Sequence, residues 1–130
     1  MDLNNPVVKL CIAGSQAEFA GKPEQASALY SQAWQAATDD FEACIAAHYL
    51  ARFQKNPAEV LRWNQEALSH AERVNDERVK DFYPSLYLNM GRSYELLGNS
   101  VEAKRYYDLA AGLGAEHQDD YLPNNPKSAV

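Results

Sequence analysis

The sequence predicts an all-α protein, a stack of antiparallel helix pairs with about six helices in all. Three observations carry that expectation. Ala, Leu, Glu and Gln dominate the long segments, whereas strand-like runs of Val, Ile and Thr are missing. Apolar residues recur at offsets of three and four, which places them on one face of a helix. Three short turns, Gly21-Lys22-Pro23, Lys55-Asn56-Pro57 and Gly98-Asn99-Ser100, are each followed by the same apolar pattern.

The first helix starts at Asn5-Pro6, where the Asn side chain caps and the proline sits at a position whose N–H needs no partner. Its stripe is Leu10, Ala13, Gly14 and Ala17. After the Gly21 turn the second helix carries Ala26, Leu29, Tyr30, Ala33, Trp34 and Ala37. Asp39, with Glu42 three residues on, reads as the capping box of a third helix with stripe Cys44, Ala47, His48 and Ala51. Asn56-Pro57 opens the fourth, along Val60, Trp63, Asn64, Ala67, Leu68 and Ala71. The fifth holds Tyr87, Met90, Gly91 and Tyr94, and Pro84 must either kink it or mark its start. The sixth runs along Ala103, Tyr106, Tyr107, Ala110 and Ala111. The interval from Gly14 to Ala26 recurs from His48 to Val60 and from Gly91 to Ala103. Each turn is short, so each pair folds back on itself, and one such hairpin buries its apolar face only by stacking on another. Residues 1–113 therefore form the helical repeat domain, and residues 114–130 a C-terminal tail.

Bulk properties narrow the function. At 130 residues the chain fits one domain. A net charge of −6 disfavours nucleic acid, which requires a basic face, and equally an anionic membrane surface. Met1–Pro6 lack the basic start and apolar core of a signal peptide, and no apolar run is long enough to span a bilayer. Cys11 and Cys44 lie inside apolar helical patterns and read as free thiols. A reduced, cytoplasmic protein is expected.

The pattern of small residue, aromatic, turn glycine, then Ala, aromatic and Ala resembles the tetratricopeptide repeat family. Tyr87, Met90, Gly91, Tyr94, Gly98, Ala103, Tyr107 and Ala110 fall on its signature positions, and so do Leu10, Gly14, Gly21, Ala26, Tyr30 and Ala33. The first two units are spaced at the family's repeat length of about 34 residues. Between the second and third an insertion around Val74-Asn75-Asp76-Glu77-Arg78 resembles the longer-helix variant, with extended helices joined by a tight Asn75-Asp76 turn. The middle unit departs further. His48 stands in the slot of Gly14 and Gly91, and Asn64 in the slot of Tyr30 and Tyr107. His48 is therefore expected to fill the vacated volume and to hydrogen-bond Asn64.

The resemblance implies a right-handed superhelix whose first helices line a concave groove that binds peptides or helices. Its positions here are Val8, Cys11, Ile12, Ser15 and Phe19, then Ile45, Tyr49, Arg52 and Phe53, then Leu88, Asn89 and Arg92. Aromatics and arginine dominate binding hot spots, so a protein-binding adaptor is the leading expectation. The Lys/Asn clamp with which some members hold a terminal carboxylate is absent, since Cys11, Ser15 and Ala46 occupy its positions and only Asn89 fits. Tail residues His117, Asp119, Asp120, Pro123 and Pro126 make no long capping helix. The last helix should then expose an apolar flank, and self-association as a homodimer is the alternative.

No catalytic constellation is found. Phosphate loops, nucleophile elbows and zinc-protease motifs are absent. Cys44 and His48 lie one helical turn apart, but neither His70 nor His117 completes a metal site, so a structural role is expected for both. Asp39-Asp40 and Asp119-Asp120 read as caps and solvated turns. No cofactor and no enzymatic activity are expected.

Overall fold

The computed structural model describes residues 2–114, and within them the chain is all-helical: α1 (Pro6–Phe19), α2 (Pro23–Ala36), α3 (Asp40–Arg52), α4 (Pro57–Val74), α5 (Glu77–Lys80), α6 (Tyr83–Leu96) and α7 (Ser100–Gly112). Of the expected tail, residues 114–130, all but Gly114 lie outside the described residues. Among those described, no helix is long and apolar enough to cross a membrane.

Local chemistry sets the boundaries. Asn5 Oδ1 accepts from the backbone N–H of Val7 at 2.8 Å and of Val8 at 3.2 Å. Asn56 Oδ1 accepts from Ala58 N–H at 2.8 Å, with Pro57 behind it. Asp39 Oδ1 takes the Glu42 N–H at 2.8 Å, while the Glu42 carboxylate reaches back to Thr38 N–H at 2.8 Å and takes the Asn5 amide at 2.8 Å. That carboxylate lies below its usual range, first because of the Thr38 backbone bond. One side chain thus caps α3 and ties it to the start of α1.

The packing follows the pairs. α1 lies on α2, α3 on α4 and α6 on α7, while α2 and α1 both touch α3 and α4 touches α6. Gly14 is required where α1 meets α2, because a Cβ there would overlap the Tyr30 ring, and Gly91 stands in the same relation to Tyr107. The main core runs from Val7, Val8 and Cys11 through Phe41, Cys44 and Ala67 to Leu86 and Met90. A smaller one gathers Ala17, Ala26, Tyr30 and Leu50. Trp34 and Trp63 meet edge to face, 5.0 Å between centroids, where the first pair stacks on the second.

The insertion differs from the expected pair of extended helices. Asn75 adopts a left-handed conformation, φ 46°, and stops α4, and Asp76 caps a separate turn by accepting from Arg78 N–H at 2.9 Å. That turn, α5, buries Val79 completely, while Arg78 lies over the Phe41 ring at 4.9 Å and Phe82 stacks on it at 6.2 Å. Only α4 carries the extra length, and α6 begins at Tyr83 with Pro84 in its first turn. The proline marks a start, not a kink.

Candidate partner-binding groove

The three first helices, α1, α3 and α6, share a continuous line of side-chain contacts. It begins on α1, where Ser15 Oγ lies 3.3 Å from the Tyr30 hydroxyl, which in turn donates to Glu18. Burial first, and then this bond, raise the Tyr30 hydroxyl above its ordinary range, so it stays a proton donor. Arg52 on α3 meets Glu18 at 3.6 Å and stands 5.7 Å over the Tyr49 ring. Tyr49 stacks on Tyr30 with centroids 5.2 Å apart, and Phe53 meets the same ring edge-on at 5.4 Å. His48 packs edge to face against Tyr49 at 5.3 Å, and its Nδ1 lies 3.5 Å from the Asn89 side-chain nitrogen on α6. Arg92 follows one turn further along α6, half-buried.

Of the twelve positions assigned to the groove from sequence, eight reach the surface at least partly. Ile12 and Phe19 are exposed, Phe19 at 94%. Ser15, Tyr49, Phe53, Asn89 and Arg92 are half-buried, and the Arg52 side chain is 46% exposed. The other four, Val8, Cys11, Ile45 and Leu88, are buried and unable to touch a partner. Val8, Cys11 and Ile45 belong to the core cluster beneath the surface, where burial pushes the Cys11 thiol up to about 12. Cys44, beside them, is pushed to about 12 for the same reason. Both thiols are therefore neutral packing groups.

The expected His48–Asn64 hydrogen bond does not form. Asn64 donates instead to Ser93 Oγ at 2.8 Å, and the Ser93 hydroxyl donates in turn to the Asn89 backbone carbonyl at 2.7 Å. The two polar residues both look forward to α6, not toward each other. Ser93 is buried on α6, and at 2.8 Å its hydroxyl is a well-placed acceptor for the Asn64 amide. Burial, and secondarily the charge of Arg52, press the His48 imidazole down to about 4, so it is neutral near pH 7. The neutral ring accepts from Asn89 at Nδ1 and carries its proton on Nε2.

Sequence reasoning missed two features. Glu18 and Glu95 each bind the hydroxyl of the tyrosine that packs against their own glycine, Tyr30 and Tyr107. The signal was present, since Glu18 to Glu95 is the same interval as Gly14 to Gly91 and Tyr30 to Tyr107. The second is on the opposite flank. His70 sits between two carboxylates, Nδ1 to Asp40 at 2.7 Å and Nε2 to Glu66 at 3.3 Å, with its ring edge-on to Trp34 at 5.8 Å. The His70 hydrogen bond is the main reason that the Asp40 carboxyl lies below its ordinary range. Glu66 and His70 are legible at one-turn spacing, whereas Asp40 arrives from α3 and is not. Among the described residues, no three His, Cys, Asp or Glu side chains gather so as to hold a metal ion.

No family model, curated protein or solved structure matches the chain.

Proposed function

We propose that this chain is a polypeptide-binding module, a tetratricopeptide-like right-handed stack that holds an extended segment or helix across α1, α3 and α6 and catalyses nothing. The single observation that supports it best is the run of contacts from Ser15 through Glu18, Arg52, Tyr49 and His48 to Asn89, which joins all three first helices on one face. Tyrosine and arginine at its centre, with exposed Ile12 and Phe19 beside them, supply the residue types of an interface hot spot. A cytoplasmic adaptor is the role that fits this surface.

The test is affinity capture from a soluble extract with the full chain and with Arg52→Ala or Phe53→Ala. Each substitution should lower partner affinity roughly tenfold or more, as loss of a hot-spot side chain does. Equal recovery of the native partner by both variants overturns the reading.

A second reading, self-association, is favoured by the opposite end of the stack. Leu96, Leu97, Val101, Leu109 and Leu113 are all exposed on the last pair, Val101 at 78%. Light scattering after size exclusion, across a wide concentration range, discriminates. A dimer that survives Arg52→Ala and dissociates with Val101→Glu supports this reading, and a monomer at every concentration removes it.

A further inference from the structure

Four tyrosines of the last helix pair form a ladder of rings outside the groove. Tyr83, Tyr87 and Tyr94 fall on one face of α6, at offsets of four and seven residues, and Tyr106 of α7 meets that face. The ring centroids are 5.7 Å apart from Tyr83 to Tyr87, 6.1 Å from Tyr87 to Tyr106 and 5.8 Å from Tyr106 to Tyr94. All four rings pack on the core with one side and are half-buried, so water and small solutes reach the other. None of them belongs to the twelve groove positions.

The last step of the ladder differs from the others. Tyr94 and Tyr106 are nearly parallel, 12° between planes, whereas the first two steps are tilted by 42° and 39°. At van der Waals separation, near-parallel rings with centroids 5.8 Å apart are offset by about 4 Å. Their edges then overlap, and the edges carry the carbons ortho to the hydroxyls. Those are the carbons through which two phenoxyl radicals join. Tyr30 and Tyr49 stack more closely, at 5.2 Å, but Tyr30 is fully buried and Phe53 closes on its ring, so an oxidant in water does not reach it. Competing sulfur is also withdrawn. Among the described residues Cys11, Cys44 and Met90 are all buried, and burial pushes both thiols up to about 12. A neutral, buried thiol oxidises slowly.

We propose that Tyr94 and Tyr106 are an oxidative cross-linking site, where a one-electron oxidant (a haem peroxidase with hydrogen peroxide) joins the two rings and ties α6 to α7. Tyr83 and Tyr87 widen the target, because a radical formed on either is two ring contacts or one from Tyr106. Each of Tyr94 and Tyr106 gives one electron to the oxidant and its phenolic proton to water. The two phenoxyl radicals form one carbon–carbon bond between ortho positions. Each ring becomes a phenol again as its ortho hydrogen leaves the carbon and a proton returns to the oxygen. Two hydrogens leave the protein in all, and one hydrogen peroxide is reduced to two waters.

Oxidation of the full chain at low protein concentration, with a haem peroxidase and hydrogen peroxide, tests this. The product is read by dityrosine fluorescence of the monomer fraction after size exclusion and by mass spectrometry of tryptic peptides. It should join the peptide of Tyr94 to that of Tyr106 and weigh two hydrogens less than their sum. Tyr94→Phe and Tyr106→Phe each keep the ring packing and should remove the monomer's dityrosine. Tyr30→Phe, and Tyr107→Phe in the same peptide as Tyr106, should leave it unchanged. The cross-linked monomer should also unfold at a higher urea concentration, because the bond restricts the unfolded chain. Dityrosine that persists in either ladder variant, that joins Tyr30 to Tyr49, or that forms only in covalent dimers overturns the proposal. So does its absence under conditions that convert free N-acetyltyrosinamide. None of these outcomes bears on the groove, which shares no residue with the ladder.

Discussion

The two outer helix pairs and the middle pair fill the same space in opposite ways. In the outer pairs a tyrosine from the second helix lies against a glycine of the first, and its hydroxyl is held by a glutamate one turn further on: Tyr30, Gly14 and Glu18, then Tyr107, Gly91 and Glu95. These contacts stay inside each pair. In the middle pair the three slots hold Asn64, His48 and Arg52, and their hydrogen bonds and ion pair reach into the neighbouring pairs. Arg52 reaches back to Glu18, while His48 and Asn64 reach forward to Asn89 and Ser93. The outer pairs are braced within themselves, and the middle one joins its neighbours. Because Arg52 is also one of the positions proposed for the groove, the same exchange makes the middle pair chemically distinct from its neighbours.

The largest expected effect breaks an outer pair. Gly14→Ala or Gly91→Ala forces a methyl group into the facing tyrosine ring, and each should destabilise by about 1–3 kcal/mol or more in urea unfolding. Neither Gly21→Ala nor Gly98→Ala meets any neighbour, so their smaller cost comes from backbone conformation alone, φ 74° and 77°. If Gly14→Ala and Gly21→Ala cost the same, close packing is not what distinguishes the outer pairs.

Next comes the middle pair's link to α6. Asn64→Ala removes a buried hydrogen bond and leaves Ser93 without its donor, an expected loss of about 1–2 kcal/mol. The double substitution His48→Gly with Asn64→Tyr installs the outer arrangement in the middle. It should be more stable than the two single changes sum to, because tyrosine and glycine complement each other. Strict additivity would mean that the slots are not equivalent.

A pH measurement sharpens the comparison. His48 has its folded-state pKa pressed from the usual 6.5 to about 4, so between those values the unfolded chain binds more protons than the folded one. Its contribution is complete above about 6.5 and is lost as pH falls toward 4. His48→Gln should flatten the decline of stability between pH 6.5 and 5. Asp40 and Glu42, whose folded values are depressed, lose their contributions at lower pH, as their carboxylates protonate. An unchanged slope in His48→Gln would place the imidazole in solvent.

The smallest effect on stability is at Arg52. Its ion pair with Glu18 is loose and solvent-accessible, so Arg52→Ala should cost less than about 1 kcal/mol while weakening partner binding. A change that leaves the fold intact and removes binding separates the groove's role from the brace.

How much was legible follows the range of each interaction. The caps at Asn5, Asp39 and Asn56 were readable because donor and acceptor lie within three residues. The Gly–Tyr facing positions were readable because a repeated interval betrays a repeated contact. α5 was not, since a single turn has no periodicity, and what fixes it is Val79 and Phe82 meeting Phe41 from a distant part of the chain. The partner of Asn64 was misassigned for the same reason: Ser93 enters from α6, and the sequence alone offered the nearer His48. For the proposed groove, helical spacing did not give the depth of each side chain. Ile12 lies next to Cys11 in sequence, yet one is exposed and the other buried, because neighbouring residues of a helix point about 100° apart and Cys11 turns into the core.

The groove itself is tested most directly by photocrosslinking from single positions. A photoreactive residue at Ile12, exposed beside the contact line of α1, should couple to a partner polypeptide, and one at Arg62, exposed on α4, should not. Adducts from Arg62 with none from Ile12 would contradict the account and move the binding surface to the second helices.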